Sequence, residues 1–211
     1  MTSATIKNCS ASGDGGGIYV EGGKLTLKDD TISADTAKFK GGGMFIGGGN
    51  VKMTGGSFFH NQATVTTAGG EGGGICLYGG IFTLKGGVDI TSNEAYSGAG
   101  MSIVDGTVSI SGGTFQFNTA QLNGNGGGIY NVGGNLTLKG GVYVGPENSA
   151  NKGGGMYLAD GSTTTFGGVT VSSNSASAGG TGVAYENGAG MNGLPAGLSD
   201  KDDPGGTPVQ V

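Results

Sequence analysis

The sequence is poor in the residues on which most catalytic and nucleic-acid sites depend. It has no arginine, no tryptophan, one histidine, two cysteines and four prolines, and all ten basic residues are lysine. Phosphates and base edges are recognised mainly by clustered arginine and lysine, so a net charge of −5 without arginine argues against a nucleic-acid partner. No stretch approaches the roughly 18 apolar residues of a membrane-spanning helix, and we expect no such segment in this chain.

Glycine is the residue in excess, with 52 copies, and it recurs in a repeated phrase. In each copy a glycine run precedes three residues of which the first is apolar, as in Gly126–Asn131. The last glycine stands at position 17, 43, 74, 100, 128, 155 or 182, so the copies lie 26 to 31 residues apart. A glycine-rich chain would otherwise suggest disorder, but a period of this length indicates a stacked repeat architecture.

Each period divides into three short segments in which apolar and polar residues alternate. The first follows the glycine run, the second resembles Lys24–Lys28, and the third resembles Val88–Asn93. Alternation over four to six residues is typical of half-buried strands, and glycine pairs supply corners with positive φ. Nothing has a helical period. Three strands and three corners in roughly 27 residues predict one coil of a parallel β-helix, which buries its apolar side only by stacking on other coils.

The predicted fold class is therefore all-β: a right-handed, single-stranded parallel β-helix, or solenoid, of about six to seven three-strand coils. It occupies residues 1–193, and residues 194–211 form a polar tail or linker rich in proline and glycine. The sequence begins in mid-coil, so we expect a fragment whose targeting sequence lies upstream. The inward columns are predicted to be Ile18, Met44, Ile75, Met101, Ile129 and Met156 in the first strand, and Leu27, Met53, Leu84, Ile110 and Leu138 in the second.

Asparagine recurs at the end of the third segment of the repeat. Because asparagine tolerates the left-handed conformation and bonds its own backbone in turns, we interpret these residues as structural. Stacked coils would bring their amides into a ladder, formed by Asn61, Asn93, Asn118, Asn148 and Asn174.

The middle residue of each first strand is predicted to point outward. Aromatic residues stand at this position in two pairs of adjacent coils, Tyr19 with Phe45 and Tyr130 with Tyr157. Exposed aromatic rings can stack on sugars or anchor a protein partner, so these four residues are the candidate binding site. The alternative is that these rings stack laterally to stabilise the sheet and are partly covered by corner loops such as residues 61–71.

The second strand has an outward column of mostly hydroxylated residues: Thr26, Lys52, Thr83, Ser109, Thr137 and Thr164. A flat threonine array could bind ice. Lys52 within the column, with Lys28, Lys85 and Lys139 beside it, interrupts such an array, and threonine favours strands in any case.

Catalytic and metal sites have weak support. Glycoside hydrolysis needs two carboxylates on one face. Asp105 and Asp160 occupy equivalent corners, two coils and roughly 10 Å apart, a separation that could suit an inverting pair. Each lies in an ordinary turn next to glycine. Asp29, Asp30 and Asp35 lack a regular calcium-ligand spacing and are interpreted as a solvated turn. We assign no catalytic residue, no metal and no cofactor.

His60 and the cysteines also lack partners for chemistry in the sequence. No cysteine, serine or aspartate constellation accompanies His60, which is interpreted as a turn residue. Cys9 and Cys76 lie in different parts of the repeat and more than two coils apart. At about 4.8 Å per coil they are too distant to pair, so we expect two buried or half-buried free thiols.

Two motifs alternate along most of the chain. One is Gly-Gly-(Gly or Ala)-(Ile, Met or Val), and the other is Phe-x-x-Asn, at Phe58–Asn61 and Phe115–Asn118 with variants at Ile90–Asn93 and Val171–Asn174. This pairing resembles the Pmp-like repeats of the chlamydial polymorphic outer-membrane proteins. The resemblance implies a β-helical autotransporter passenger acting as an adhesin. The chain departs from the pattern in that a third glycine usually replaces alanine and only two strict Phe-x-x-Asn copies occur.

The resulting prediction is a non-catalytic, secreted or cell-surface repeat protein that acts in adhesion or as a structural stalk. Its partner would be a host protein or glycan surface, and its location extracellular or at the cell surface. The alternative is a carbohydrate-binding or polysaccharide-degrading protein of the same fold. Charged groups converging on one face would favour the enzyme. Lyases of this fold commonly share such an arrangement, with an arginine or lysine acting as the base beside a calcium cluster.

Overall fold

The structure, a computed structural model, describes residues 1–194 of the chain, and the predicted tail beyond Leu194 lies outside the described residues. These residues form a parallel β-solenoid of about seven turns and contain no helix. The strands are numbered β1 to β26 in chain order. All described strand pairs are parallel and link each coil to the next. The predicted all-β, coil-by-coil architecture is confirmed, while its right-handed winding stays a prediction.

The first sheet contains the strands that follow the glycine runs. Its seven members pair in the order β25-β22-β19-β15-β11-β7-β3, with the first residues of the triplets in register. The strands are β3 (Ile18–Val20), β7 (Met44–Ile46), β11 (Ile75–Leu77), β15 (Met101–Ile103), β19 (Ile129–Asn131), β22 (Met156–Leu158) and β25 (Val183–Tyr185).

The second sheet has twelve strands because it contains both the second and the third predicted segments. Strands β20 and β23 run through both segments and join the two halves. One half contains β4 (Lys24–Lys28), β8 (Asn50–Thr54), β12 (Ile81–Lys85), β16 (Thr107–Ser111), β20 (Asn135–Val144), β23 (Thr163–Val171) and β26 (Gly190–Asn192). The other half adds β1 (Thr5–Lys7), β5 (Thr31–Ser33), β9 (Ser57–Phe59), β13 (Asp89–Thr91) and β17 (Thr114–Gln116).

The third sheet consists of short strands that the sequence pattern did not predict. They come directly after each ladder position, and most have only two residues, too few for an alternation to be recognised. Stacking on the neighbouring coils is what makes them strands. They are β2 (Ser10–Ala11), β6 (Thr36–Ala37), β10 (Gln62–Ala63), β14 (Glu94–Ala95), β18 (Thr119–Ala120), β21 (Ser149–Lys152) and β24 (Ser175–Gly179).

The core runs along the solenoid axis and is built from the inward residues of successive coils. The predicted columns are buried from Met44 and Leu27 onward, whereas Ile18 in the first coil is only half-buried. Phe58, Phe82 and Phe115 are among the largest fully buried side chains. Each buried side chain of this size contributes about 1.5–3 kcal/mol, and only stacking of coils removes it from water.

The glycine runs are required by close approach between coils. A Cβ atom added at Gly42 would lie 2.5 Å from backbone atoms of Gln62, and one added at Gly127 would lie 2.5 Å from the Gly154 carbonyl oxygen. Such contacts exclude any larger residue without movement of the backbone. The glycine motif is therefore a packing requirement of the fold.

Candidate functional site

The five predicted asparagines form a continuous hydrogen-bonded ladder inside the solenoid. The Asn118 Nδ2 atom donates to Asn148 Oδ1 at 2.9 Å and to the Ile90 carbonyl at 3.0 Å. Its Oδ1 atom accepts from the backbone N–H and the Nδ2 of Asn93. The same pattern repeats at every junction from Asn61 to Asn174. These amides hold coils together and are not available to a ligand.

The ladder corrects one detail of the sequence interpretation. The residue with left-handed backbone is the one before each asparagine, as at His60 (φ 55°) and Ser92 (φ 55°), and not the asparagine itself. The amide also bonds the neighbouring coils rather than its own turn. The left-handed residue turns the chain so that the following side chain points inward along the axis.

The ladder ends on a carboxyl group instead of an amide. The Asp35 backbone N–H donates to Asn61 Oδ1 at 3.0 Å, and Asp35 Oδ1 accepts from the backbone N–H of Cys9 at 2.8 Å. Asp35 Oδ2 is buried and has no hydrogen-bond partner in residues 1–194. Burial, which outweighs the hydrogen bonds to the carboxylate, raises the pKa of Asp35.

Asp30 is fully buried as well, and it is satisfied. Its Oδ1 accepts from the Ala4 backbone N–H at 2.6 Å and its Oδ2 from the Lys28 N–H at 3.0 Å. The interpretation of Asp29, Asp30 and Asp35 as a solvated turn is therefore wrong for the last two, because both carboxyls are buried and accept backbone N–H groups. No group of three potential metal-ligating residues occurs within residues 1–194.

Two rings of the predicted binding column, Tyr19 and Phe45, stack with the ring of Tyr78, which lies outside that column. We call these three rings the aromatic ledge. The Tyr19 and Phe45 rings stack with centroids 5.2 Å apart at 19°, and the Phe45 and Tyr78 centroids lie 6.2 Å apart. Tyr19 and Tyr78 are 54% and 50% exposed, whereas Phe45 is only 6% exposed. The ledge thus offers two accessible rings on a buried one.

Polar groups surround the ledge. The Tyr19 hydroxyl donates to Glu21 Oε2 at 2.6 Å, and this hydrogen bond raises the pKa of Tyr19. Lys40 Nζ lies 5.8 Å from the centre of the Tyr78 ring and forms an ion pair with Glu71 at 3.2 Å. The arrangement combines ring faces with hydrogen-bonding groups of both charges.

The rest of the column is covered. Cys76 and Ser102 are fully buried although their side chains stand on the outward side of the first sheet. Cβ atoms added at Gly72 and Gly98 would lie 2.8 and 2.9 Å from the Cys76 and Ser102 Cβ atoms, so the glycine run of the same coil packs directly against both residues. The outward column is therefore not accessible at its centre.

The second predicted pair forms a separate cluster. The rings of Tyr130 and Tyr157 have centroids 5.6 Å apart at 47°, but Tyr157 is only 8% exposed. The Tyr157 hydroxyl donates to Glu186 Oε1 at 2.7 Å, and Glu186 Oε2 accepts from the Asp160 backbone N–H at 2.7 Å. Tyr157 therefore serves packing more than contact with a ligand.

Ionisation in this cluster follows from burial and hydrogen bonding. Burial, followed by the hydrogen bond to Glu186, raises the pKa of Tyr157, and burial also raises the pKa of Tyr130. The Asp160 backbone N–H and the Tyr157 hydroxyl lower the pKa of Glu186. Because these shifts keep the phenols neutral and Glu186 ionised, none of the three groups is suited to exchange a proton near neutral pH. The cluster can contribute hydrogen bonds and ring contacts instead.

The outer face of the second sheet is polar and flat, and it differs from the prediction at one residue. Thr164 pairs with Leu136 and is fully buried, while Thr165 pairs with Thr137 on the outside. The column is therefore Thr26, Lys52, Thr83, Ser109, Thr137 and Thr165. The error came from placing the register one residue early, which reverses the face of every side chain.

The remaining candidates for chemistry stay apart. Asp105 and Asp160 are both exposed at corners before the second strand, and Asp105 Oδ1 accepts from the N–H of its own neighbour Gly106 at 2.6 Å. His60 is exposed, and its ring contacts Phe59 edge-on at 5.6 Å. Cys9 and Cys76 are free thiols, as predicted.

Tyr78 and Glu186 were missed by sequence reasoning. Both follow the first strand at equivalent positions, since the Tyr78 N–H bonds the Ile46 carbonyl and the Glu186 N–H bonds the Leu158 carbonyl. An aromatic residue two positions beyond the predicted outward residue was a usable signal for Tyr78. Nothing in the repeat singles out Glu186.

The chain matches no protein-family model, no curated protein and no solved structure. Within residues 1–194 no helix is long and apolar enough to cross a membrane.

Proposed function

We propose that this chain is the non-catalytic binding segment of a secreted or cell-surface repeat protein, and that it acts in adhesion to glycans. The observation that carries the proposal is the aromatic ledge, where Tyr19 and Tyr78 keep about half of their surface exposed around the stacked ring of Phe45. Large exposed aromatic side chains on a rigid sheet are suited to stacking on sugar rings.

The size of the ledge favours a glycan over a protein. A stable protein interface buries about 800 Å² on each partner around well-packed anchors, whereas the ledge has two accessible rings. The hydroxyl of Tyr19, the carboxylate of Glu21 and the Lys40–Glu71 ion pair supply the polar contacts that fix a sugar ring in one orientation.

The separation of the acidic residues supports a role without catalysis. Asp30 and Asp35 are held inside the first coils, Glu186 is engaged by Tyr157, and Asp105 and Asp160 stand at exposed corners. The resemblance of the glycine and Phe-x-x-Asn motifs to Pmp-like repeats supports the same role, as part of an autotransporter-type passenger at the cell surface.

The test is retention of the purified chain on immobilised neutral and host-type glycans, with chain shortening scored in the same incubation. Tyr19→Ala combined with Tyr78→Ala should abolish retention, and Leu122→Ala should leave it intact. Leu122 is a matched control because it is 82% exposed at a different corner. Shortened glycans, retention that survives loss of both tyrosines, or binding confined to protein ligands would each overturn the proposal.

A further inference from the structure

Lysine is concentrated on one face of this acidic protein. Five of the ten lysines lie in the second strands of their coils, in β4, β8, β12 and the first half of β20, and all five are exposed: Lys24, Lys28, Lys52, Lys85 and Lys139. We call the outer surface of these strands, with β16 and the first half of β23, the lysine face. The five-residue strand segments that form it contain no acidic residue.

The charge separation is large for a chain of this composition. The net charge is −5, so removing the +5 of the lysine face leaves −10 for the other residues. The ion pair between Lys40 and Glu71 lies elsewhere, and within residues 1–194 no carboxylate pairs with a lysine of this face. Asp29 and Asp105 lie in the corners beside it and not on it. These ammonium groups therefore remain available to an anionic partner.

The sheet register spaces the charges regularly. Lys28 aligns with Thr54, Lys85, Ser111 and Lys139 in successive coils, so lysine alternates with a hydroxyl residue. Adjacent strands are about 4.8 Å apart, which places neighbouring lysines of this column about 10 Å apart along the axis. Within the residues that form this face, pairing continues through all five strand positions without a bulge.

One end of the face contains a shallow depression of about 140 Å³, lined by Lys24, Leu25, Thr26, Asn50 and Lys52. The Oδ1 atom of Asn50 is buried and has no hydrogen-bond partner in the described part of the chain. A buried unpaired amide oxygen calls for a donor such as a sugar hydroxyl. The lining of the depression thus combines two lysine side chains with an unpaired amide oxygen.

We propose that the lysine face binds a linear anionic polysaccharide, one that carries carboxylate or sulfate groups, along the solenoid axis. Regularly spaced lysines would neutralise the acidic groups, and the threonine, serine and asparagine side chains between them would bond the hydroxyls. Such binding would assign a class of glycan to the adhesive role proposed above. Only its biological meaning rests on that role.

Two other polyanions fit the face less well. The face has no arginine for bidentate phosphate contact and no aromatic ring for base stacking, which disfavours nucleic acid. Its one large exposed apolar side chain is Ile81, at 46%, which is too little to insert into a lipid surface. Both serve as competitors in the test.

The test compares two triple variants with the same change in net charge. One carries Lys28→Gln, Lys85→Gln and Lys139→Gln, and the other carries Lys7→Gln, Lys38→Gln and Lys152→Gln. Binding to dextran sulfate and polygalacturonate is measured between 20 and 300 mM salt, over which the Debye length falls from roughly 20 Å to about 6 Å. Neutral dextran is the blank. Unfolding curves establish that both variants fold.

The wild-type chain and the second triple should bind the anionic polysaccharides in a salt-dependent way. The first triple should bind about tenfold more weakly at low salt, because each exposed charge contact contributes little alone and three act together. Equal loss in both triples, no binding to either polyanion, or stronger binding to anionic phospholipid vesicles or duplex DNA would overturn the proposal.

The aromatic ledge is tested independently of this face. The Tyr19→Ala, Tyr78→Ala variant should keep its affinity for dextran sulfate while it loses retention on neutral glycans. A wild-type chain that binds the polyanions but not neutral glycans would show that the ledge proposal has failed, and one that binds neutral glycans but not the polyanions would show that the lysine-face proposal has failed.

Discussion

The Asp35 backbone N–H donates to Asn61 Oδ1 at 3.0 Å, so a carboxyl group follows directly on a ladder of amides. At the next junction the Asn61 Nδ2 atom donates to the Ile32 carbonyl of the preceding coil. Asp35 has no such donor unless its carboxyl is protonated, and its Oδ2 atom is buried without a partner in residues 1–194.

We expect Asp35→Asn to stabilise the protein near neutral pH by about 1–3 kcal/mol, because an amide restores the donor. The folded state raises the pKa of Asp35 above its ordinary 3.8. Its carboxyl therefore costs nothing below that value, destabilises the fold progressively as pH rises through the folded pKa, and costs a constant amount above it. Urea unfolding from pH 3 to 8 should show the variant's advantage growing with pH.

Asp30→Asn is the matched control for that experiment. Both oxygens of Asp30 accept backbone N–H groups, so an amide would point a donor at a donor. This variant should be less stable than the wild type near neutral pH. A stabilising Asp30→Asn, or an Asp35→Asn advantage that does not vary with pH, would contradict the assignment of the unpaired carboxyl to Asp35.

Removal of an amide from the middle of the ladder should be costly. Asn118→Ala deletes contacts to Asn93, Asn148 and the Ile90 carbonyl and leaves buried polar groups unpaired. We expect a loss of about 3 kcal/mol in the free energy of unfolding. Asn135→Ala, at an exposed strand position, should change it by less than about 0.5 kcal/mol. Equal effects in chemical denaturation would refute a structural role for the ladder.

The glycine run should tolerate no side chain. Gly42→Ala places a Cβ 2.5 Å from the Gln62 backbone and should destabilise by about 2 kcal/mol or more. Gly22→Ala meets nothing within 4 Å at a corner and should be neutral or stabilise by up to about 1 kcal/mol. Thermal unfolding of both variants distinguishes two explanations. If only the flexibility of glycine mattered, both substitutions would change the stability in the same direction, whereas close packing predicts a loss at Gly42 alone.

The two thiols should differ sharply in reactivity. Cys9 is half-buried, while Cys76 is fully buried, and burial raises the pKa of both thiols. Alkylation of the native protein at pH 8, followed by mass spectrometry, should label Cys9 first. Cys76 should react only after denaturation, and its labelling in the Cys9→Ser variant under native conditions would mean that the folded structure around it opens readily.

Much of the fold was predictable because the same pattern of inward apolar residues occurs in every coil. The inward columns from Met44 to Met156 and from Leu27 to Leu138 follow from alternation, and each coil confirms the next. Thr164 was misplaced because β23 reads Thr-Thr-Thr, so composition could not fix which residue faced inward. The pairing of Leu136 with Thr164 decides it.

The candidate site was less predictable because exposure depends on what folds over a residue. Tyr19 and Phe45 occupy equivalent positions in adjacent coils, yet one is 54% exposed and the other 6%. Phe45 is enclosed by the rings of Tyr19 and Tyr78, and Tyr78 comes from the following coil. Sequence spacing therefore predicts which way a side chain points, but not how much of it neighbouring residues shield from solvent.

The sequence by itself determined the period, the parallel strands, the inward columns and the asparagine ladder, because each arises from one short motif copied along the axis. The tertiary structure alone decided the full burial of Cys76 and Ser102 and the unpaired state of the Asp35 Oδ2 atom. Those features depend on contacts between residues about one coil or more apart, and the register between coils exists only once the coils have stacked.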